Sequence, residues 1–119
     1  MPHVELKVSS QTQGDHTVVT VSGEIDLYTA TRLQGELTAV LDGGRAVRVV
    51  VDMSEVDFCD STGMNVLLSA LKRAREHGGG LDLASPRPAV RKILQVTGLD
   101  SVFTVIDGTS AAGEGGAVR

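Results

Sequence analysis

The spacing of hydrophobic residues changes from strand-like to helix-like in the middle of the chain. Residues 47–51 (VRVVV) form a nearly continuous β-branched run, which is typical of a strand buried on both faces. Further on, hydrophobic side chains recur at the three- and four-residue spacing of an amphipathic helix, at Met64, Leu67, Leu68, Leu71 and Ala74. The pattern predicts a buried strand, a short loop and a helix. Asp60 or Ser61 is expected to cap this helix, because either side-chain oxygen can accept a hydrogen bond from a free N–H group of the first turn.

Strand and helix patterns also alternate on both sides of this central unit. Short apolar or alternating runs predict four further strands, at residues 4–9, 16–22, 81–84 and 102–106. Helical spacing predicts one helix at 30–41, with Thr29 as its cap, and another that opens at residues 85–88 and ends at Gly98. The polar residues 11–15 predict a turn that joins the first two strands in a hairpin.

The resulting order of elements is ββαβαβαβ. This order predicts a single α/β domain over residues 1–107, with a mixed, mainly parallel β-sheet and helices packed against it. Residues 108–119 (GTSAAGEGGAVR) are small and polar without periodicity, so they are predicted to be a disordered C-terminal tail. A chain of 119 residues can form one modest core but not comfortably two.

Composition narrows the kinds of partner that the chain can bind. Eleven Lys and Arg against fifteen Asp and Glu give a net charge of −4, and only 3% of the residues are aromatic, which argues against a nucleic-acid surface or an anionic-lipid surface. The single cysteine, Cys59, excludes an internal disulfide and a multi-cysteine metal site. No apolar run approaches the roughly 20 residues of a membrane span, and the first residues lack a signal-peptide core. We therefore expect a cytoplasmic protein.

Ser61 is a candidate nucleophile, but the sequence supplies no base for it. A serine hydrolase needs a nucleophile elbow and a catalytic histidine, and Ser61 does not lie in a G-x-S-x-G motif. The three histidines, His3, His16 and His77, are predicted to be solvated or capping residues at a terminus, in an early strand and at a helix end. The run Asp-Ser-Thr-Gly has one residue too many for an aspartic protease, which also needs a second carboxylate. The carboxylates are scattered, so no metal site is expected.

Four further residues have two interpretations each. Asp52 could be the phospho-acceptor of a two-component receiver, but the acidic residues after the first strand and the lysine after the last strand are missing. Cys59 could be redox-active, although its alternation with Phe58 favours a small buried hydrophobe. Glu24 and Asp26 could be turn residues or, if the strands align, could share one binding surface with the loop before the central helix. Both interpretations of this last pair remain open.

Together these segments resemble the STAS-domain anti-sigma factor antagonists of bacteria. The resemblance covers residues from about 4 to 106. It rests on the joint order and spacing of several motifs: GEID at 23–26 followed by TA at 29–30, VVVDMS at 49–54, VDFCDSTG at 56–63, KRAR at 72–75, SPRPAVRKIL at 85–94 and TGL at 97–99. The joint order of these motifs makes the signal specific.

The resemblance implies a regulated binding protein. In that family the serine after the first Asp of the Asp-Ser-Ser/Thr-Gly motif is phosphorylated by the partner anti-sigma factor, a serine kinase of the histidine-kinase-like ATPase fold. The matching residue is Ser61, with Thr62 as the less favoured acceptor. The unphosphorylated protein binds the anti-sigma factor and frees the sigma factor, and a metal-dependent serine phosphatase resets the switch. We therefore predict a kinase substrate that is not itself an enzyme, that needs no cofactor, and that is a monomer or weak dimer.

Two positions depart from the family pattern, and they affect the expected choice of partner. Cys59 stands where an aliphatic residue is usual, and Met64-Asn65 stands where Leu-Gly is common. An alternative within the same fold is a STAS scaffold subunit of a stress-sensing complex that is never phosphorylated. The residues expected to bind the partner or shape the site are Asp26, Asp60, Thr62, Gly63 and Asn65.

Overall fold

The computed structural model describes residues 6–42 and 46–108, which form five strands and three helices in the predicted order. The strands are β1 (Lys7–Gln13), β2 (His16–Ile25), β3 (Arg48–Cys59), β4 (Gly80–Ala84) and β5 (Thr104–Ile106). The helices are α1 (Ala30–Leu41), α2 (Ser61–Glu76) and α3 (Pro88–Thr97), and a 3₁₀ turn at Leu99–Ser101 precedes β5. The strands form one sheet in the order β1-β2-β3-β4-β5, with β1 antiparallel to β2 and all other neighbours parallel. The predicted mixed, mainly parallel α/β fold is confirmed.

One hydrophobic core joins all three helices to one face of the sheet. Its buried members include Val19, Val21, Val49, Val51, Leu81 and Leu83 from the strands and Leu33, Leu37, Leu67, Leu71, Val90 and Leu94 from the helices. Among the described residues, the buried hydrophobic side chains of the opposite face (Val18, Val50 and Ala84) form a separate cluster that contains strand residues only. Right-handed crossovers between successive parallel strands place their helices on the same side, which accounts for this one-sided core.

The hairpin at the start of the fold is longer than predicted. β1 continues through residues predicted as a turn, and only Gly14 and Asp15 separate the paired residues Gln13 and His16. The positive φ of Gly14 (63°) suits such a two-residue turn. β1 side chains are exposed apart from half-buried Val8, so hydrophobic alternation could not reveal this edge strand, which is defined by its backbone pairing. Residues 1–5, which include part of the predicted first strand, lie outside the described residues.

β3 is also longer than predicted, because the expected loop after Asp52 is strand. Asp52 lies in the middle of β3 and not at its end. β4 stops beside Asp52, where Ala84 pairs with it, whereas the pairing of β2 with β3 continues to Ile25 and Cys59. Two shifts of register interrupt that pairing, and they obscure the two-residue alternation by which a strand is recognised. As a result, β2 and β3 project beyond the rest of the sheet and carry the start of α2 at their end.

Other predicted boundaries fall close to the observed ones. α3 starts with Pro88 and ends at Gly98, whose φ of 79° is left-handed as expected for a helix-ending glycine. Val102 was predicted in the last strand but follows the 3₁₀ turn, so β5 is only three residues long. The predicted tail lies outside the described residues from residue 109 onwards.

Candidate functional site

Asp60 fixes the start of α2 and leaves Ser61 exposed. The Asp60 side chain accepts a hydrogen bond from the Gly63 N–H (3.0 Å), and its carbonyl accepts one from the Met64 N–H (3.0 Å). Its own N–H donates to the Ile25 carbonyl (3.0 Å), which ties the helix start to the end of β2. Of the two predicted caps, Asp60 therefore performs the capping, and Ser61 is the first helical residue. The Ser61 hydroxyl lies at the positive end of the helix dipole.

The first turn of α2 packs so closely on the strands that only glycine fits at position 63. A Cβ atom on Gly63 would lie 2.5 Å from Cγ2 of Ile25 and 2.7 Å from Sγ of Cys59, and all three residues are buried. Burial, with a smaller contribution from the negative charge of Asp60, raises the pKa of the Cys59 thiol to about 12. Cys59 is therefore a protonated core residue, as the alternation with Phe58 predicted, and is not a poised thiolate.

The turn between β2 and α1 is held by a reciprocal pair of side chains, Asp26 and Thr29. One oxygen of Asp26 accepts hydrogen bonds from the N–H groups of Tyr28 (2.9 Å) and Thr29 (3.0 Å), and the Asp26 carbonyl accepts one from the Ala30 N–H (2.9 Å). The Thr29 hydroxyl accepts from the Asp26 N–H (2.9 Å) and donates to the Glu24 carbonyl (2.7 Å). Thr29 is the N-cap residue of α1, as predicted, but its side chain makes no capping hydrogen bond to the helix, because its hydroxyl bonds to Asp26 and to the Glu24 carbonyl.

The predicted site residues fall into two groups. Asp26, Asp60 and Ser61 are brought to the same end of the sheet, since Ile25 pairs with Cys59 and each is followed directly by one of the two aspartates. Asn65 is exposed one helical turn beyond Ser61, on the same face of α2. The other two residues are less accessible: Thr62 is half-buried and Gly63 is buried. Gly63 can therefore affect a partner only indirectly, by allowing the first turn of α2 to pack closely on the strands.

Sequence reasoning missed Arg87, which braces the projecting end of β3. Its Nε donates to the carbonyl of Ser54 (2.8 Å), and its guanidinium pairs with Asp57 and lies 3.5 Å from Glu55. The pairing of β3 with β4 ends at Asp52, so Arg87 bonds to the edge of β3 beyond its last paired residue on that side. Two exposed carboxylates on one stretch of strand were the available signal, because they attract a cation. Their partner, however, is about 30 residues away in the sequence.

The exposed hydrophobic residues near Ser61 were also missed. Leu27 and Tyr28 follow Asp26, and Phe58 pairs with Glu24 on the neighbouring strand; all three side chains are exposed. The helical pattern of α1 begins only at Ala30, so periodicity says nothing about Leu27 and Tyr28.

The described histidines lie away from Ser61. His77 is exposed and follows the last residue of α2, which spans about 24 Å at 1.5 Å per residue. His16 starts β2 at the opposite end of the sheet and is only 6% exposed, so the prediction that it is solvated or capping is wrong. His3 lies outside the described residues. Neither described histidine can therefore serve as a base for Ser61.

Other chemical interpretations also lack support in the described ranges. No group of three His, Cys, Asp or Glu residues in 6–42 and 46–108 could hold a metal ion. Asp52 lies mid-strand and accepts a hydrogen bond from the Ser54 N–H (3.0 Å), so it is not placed as a receiver phospho-acceptor at a strand end. Within the same ranges, no helix is long and apolar enough to cross a membrane.

Comparison with known proteins gives a consistent result. The family model described as "Mlab, STAS domain" matches residues 8–106. The anti-sigma-B factor antagonist of Bacillus subtilis (strain 168) is 31% identical over 98 residues, which are 82% of this chain and 84% of that protein. Among solved structures, an anti-sigma factor antagonist from Mycobacterium paratuberculosis has a TM-score of 0.83 at 28% identity, with 93% of each chain covered.

The same fold occurs in the anti-sigma factor antagonist SpoIIAA. Its unphosphorylated form has a TM-score of 0.77 at 24% identity and covers 95% of this chain and 100% of that chain. The phosphorylated form of the Bacillus protein has a TM-score of 0.69 at 21% identity, with 90% and 96% covered.

Proposed function

The chain belongs to the STAS-domain family of anti-sigma factor antagonists, and from this premise we propose that it binds an anti-sigma factor until Ser61 is phosphorylated. The observation that carries the proposal is the exposed hydroxyl at the start of α2, where Asp60 takes over the capping. Ser61 is held in place as the first residue of the helix, and its hydroxyl does not have to cap the helix because Asp60 does so. The existence of a phosphorylated form of Bacillus SpoIIAA is consistent with such a switch.

The partner in this proposal is an anti-sigma factor that is also a serine kinase of the histidine-kinase-like ATPase fold. The kinase supplies the base, Mg²⁺ and ATP, so the substrate needs only an accessible and positioned hydroxyl. Unphosphorylated, the protein occupies the anti-sigma factor, and the sigma factor is released. A metal-dependent serine phosphatase removes the phosphate, and the cycle takes place in the cytoplasm.

Phosphorylation weakens binding more than it affects folding. A phosphate adds about −1.5 to −2 charges at the start of α2, where the helix dipole stabilises negative charge by roughly 0.3–1 kcal/mol. The fold therefore tolerates the modification. A partner surface fitted to the neutral hydroxyl and to the neighbouring Asp60 meets added bulk and repulsion, and a loss of about 1.4 kcal/mol weakens binding tenfold.

Ser61 is the acceptor in preference to Thr62. Ser61 is exposed, whereas Thr62 is half-buried, so a kinase reaches the serine hydroxyl with less rearrangement. Asp26, Asp60, Gly63 and Asn65 complete the proposed site: the two aspartates fix the loops, Gly63 allows the close packing, and Asn65 extends the exposed face.

The proposal is tested by intact-mass spectrometry after incubation with ATP, Mg²⁺ and a lysate of the native host. Wild type is expected to gain one phosphate, and Ser61→Ala is expected to gain none. Ser69→Ala is the matched control, because Ser69 is an exposed serine on the same helix and its loss should not prevent phosphorylation. Phosphate on Ser61→Ala, mapped to Thr62, would refute the choice of acceptor.

Binding supplies the second part of this test. The kinase recovered with wild type should bind Ser61→Asp at least about tenfold more weakly by calorimetry, while thermal unfolding stays close to wild type. Equal affinity for the two proteins would refute the switch. If a lysate of confirmed kinase activity phosphorylates neither wild type nor Ser61→Ala, the alternative of a scaffold subunit that is never phosphorylated is favoured.

A further inference from the structure

Three of the four large hydrophobic side chains that are exposed in the described ranges flank the Ser61 site. Tyr28 is 75% exposed, Leu27 65% and Phe58 43%; the fourth, Val96 on α3, is 76% exposed. Phe58 pairs with Glu24 across β2 and β3, just before the point at which these strands lead to Asp26 and Asp60. Single exposed hydrophobic residues are ordinary, whereas a group beside a candidate site is typical of an interaction surface.

The backbone that carries this group is fixed before any partner arrives. The Tyr28 N–H is bonded to Asp26, and Thr29 closes the same turn by bonding to the Asp26 N–H and the Glu24 carbonyl. Phe58 lies within β3. Binding through these side chains therefore orders little additional backbone, which favours affinity.

The charges beside the group indicate the chemistry of its partner. Glu24 and Asp60 adjoin it in the strands and at the helix start, and the exposed Glu55 and Asp57 lie one to three residues before Phe58. Arg87 pairs with these last two carboxylates, so the four carboxylates and this one guanidinium leave a net negative charge beside the group. The matching surface is an apolar pocket with basic residues at its rim.

We propose that Leu27, Tyr28 and Phe58 form an apolar anchor that selects the partner kinase and is separate from the Ser61 switch. This proposal rests on the proposed function and adds to it the residues that determine specificity. The anchor makes the same contacts before and during phosphoryl transfer. It therefore contributes uniform binding energy, which affects KM and leaves kcat unchanged.

The test uses the purified kinase that phosphorylates wild type, with Leu27→Ser and Tyr28→Ser as variants. Each variant is expected to bind about tenfold more weakly and to raise KM by a similar factor, with kcat within about twofold of wild type. Val96→Ser is the matched control, because Val96 is as exposed as Tyr28 but lies on α3. Its affinity and KM are expected to stay at the wild-type values.

Several results would overturn the anchor. Wild-type affinity for both variants would do so, as would a fall in kcat at unchanged KM, which would place these residues in the chemical step. If wild type self-associates in sedimentation equilibrium and Tyr28→Ser does not, the group binds a second copy of this chain instead. If the kinase phosphorylates Ser61 of wild type and of both variants with the same affinity and KM, the anchor alone is refuted. The absence of any Ser61 phosphorylation refutes both proposals.

Discussion

The two ends of the β2–β3 pair differ in how their polar groups are satisfied and in their shape. At the carboxyl end, Asp26 and Asp60 each bond to backbone N–H groups of the following turn, and exposed side chains project from a closely packed base. At the amino end, the hairpin and the end of α1 border an open groove of about 800 Å³. His16 is buried there, and neither of its ring nitrogens has a hydrogen-bond partner among residues 6–42 and 46–108; Nδ1 lies 3.5 Å from a carboxylate oxygen of Asp15.

Under the proposed function, this difference makes concavity a poor guide to the functional site of this molecule. A pocket is the usual sign of a small-molecule site. The proposed phospho-acceptor has the opposite requirement, because it must reach into the active site of another protein, and Ser61 is exposed at the start of α2. The groove lies at the other end of the sheet and is lined by the buried, polar His16. The two ends therefore predict opposite responses to substitution.

The largest expected effect is at the carboxyl end, where Gly63→Ala should destabilise the fold by about 2–3 kcal/mol. The added methyl group would overlap buried Ile25 and Cys59, neither of which can move into solvent. Chemical denaturation measures the free energy of unfolding. Gly35→Ala is the matched control: Gly35 lies inside α1 with open space around its Cβ position, so alanine there should stabilise by roughly 0.5–1 kcal/mol.

Opposite signs for the two glycine substitutions would support a closely packed carboxyl end. Equal effects of Gly63→Ala and Gly35→Ala would show that the packing beneath Ser61 is loose, and that the helix start is not held as described.

At the amino end the expected effect is smaller and has the opposite sign, with His16→Leu stabilising the fold by about 1 kcal/mol. Both ring nitrogens of His16 are buried without a hydrogen-bond partner in the described part of the chain, and an apolar side chain removes that desolvation penalty. His77→Leu is the control, because that histidine is exposed and its replacement should change stability by less than about 0.5 kcal/mol. Thermal and denaturant unfolding at neutral pH would measure both. Destabilisation by His16→Leu would mean that the imidazole has a polar partner after all.

The sequence predicted the order of elements well because helical spacing and buried β-branched runs are local signals. Leu33 and Leu37 in α1 and Leu67 and Leu71 in α2 are buried as their spacing required. The sequence-based prediction failed where backbone pairing between strands, and not the pattern of side chains, determines the structure. The polar β1 is a strand because of β2, and the second half of β3 is hidden by shifts of register with β2.

The candidate site was predicted in the same uneven way. Asp60 and Thr29 were found as caps because capping is local, whereas the reciprocal bonding of Asp26 with Thr29 in the turn before α1 was not predicted. Two features were not predictable from any local pattern, because they depend on contacts between distant segments. These are the burial of His16 and the hydrogen bond from Arg87 to the Ser54 carbonyl.

The smallest expected effect concerns Arg87, which links α3 to the projecting end of β3. Arg87→Gln should destabilise the fold by only about 0.5–1 kcal/mol, because its side chain is 43% exposed and its ion pairs are screened by water. Arg73→Gln is the control, since Arg73 makes a similarly exposed ion pair with Asp42 but, within the described ranges, no side-chain bond to backbone. High salt should nearly abolish the destabilisation caused by Arg73→Gln, while part of that caused by Arg87→Gln persists. The reason is that the hydrogen bond from Arg87 to the Ser54 carbonyl does not join two net charges.

Amide hydrogen exchange in residues 54–59 should also increase in Arg87→Gln but not in Arg73→Gln. Unchanged exchange there would show that pairing with β2 is sufficient to hold the strand that leads to Ser61.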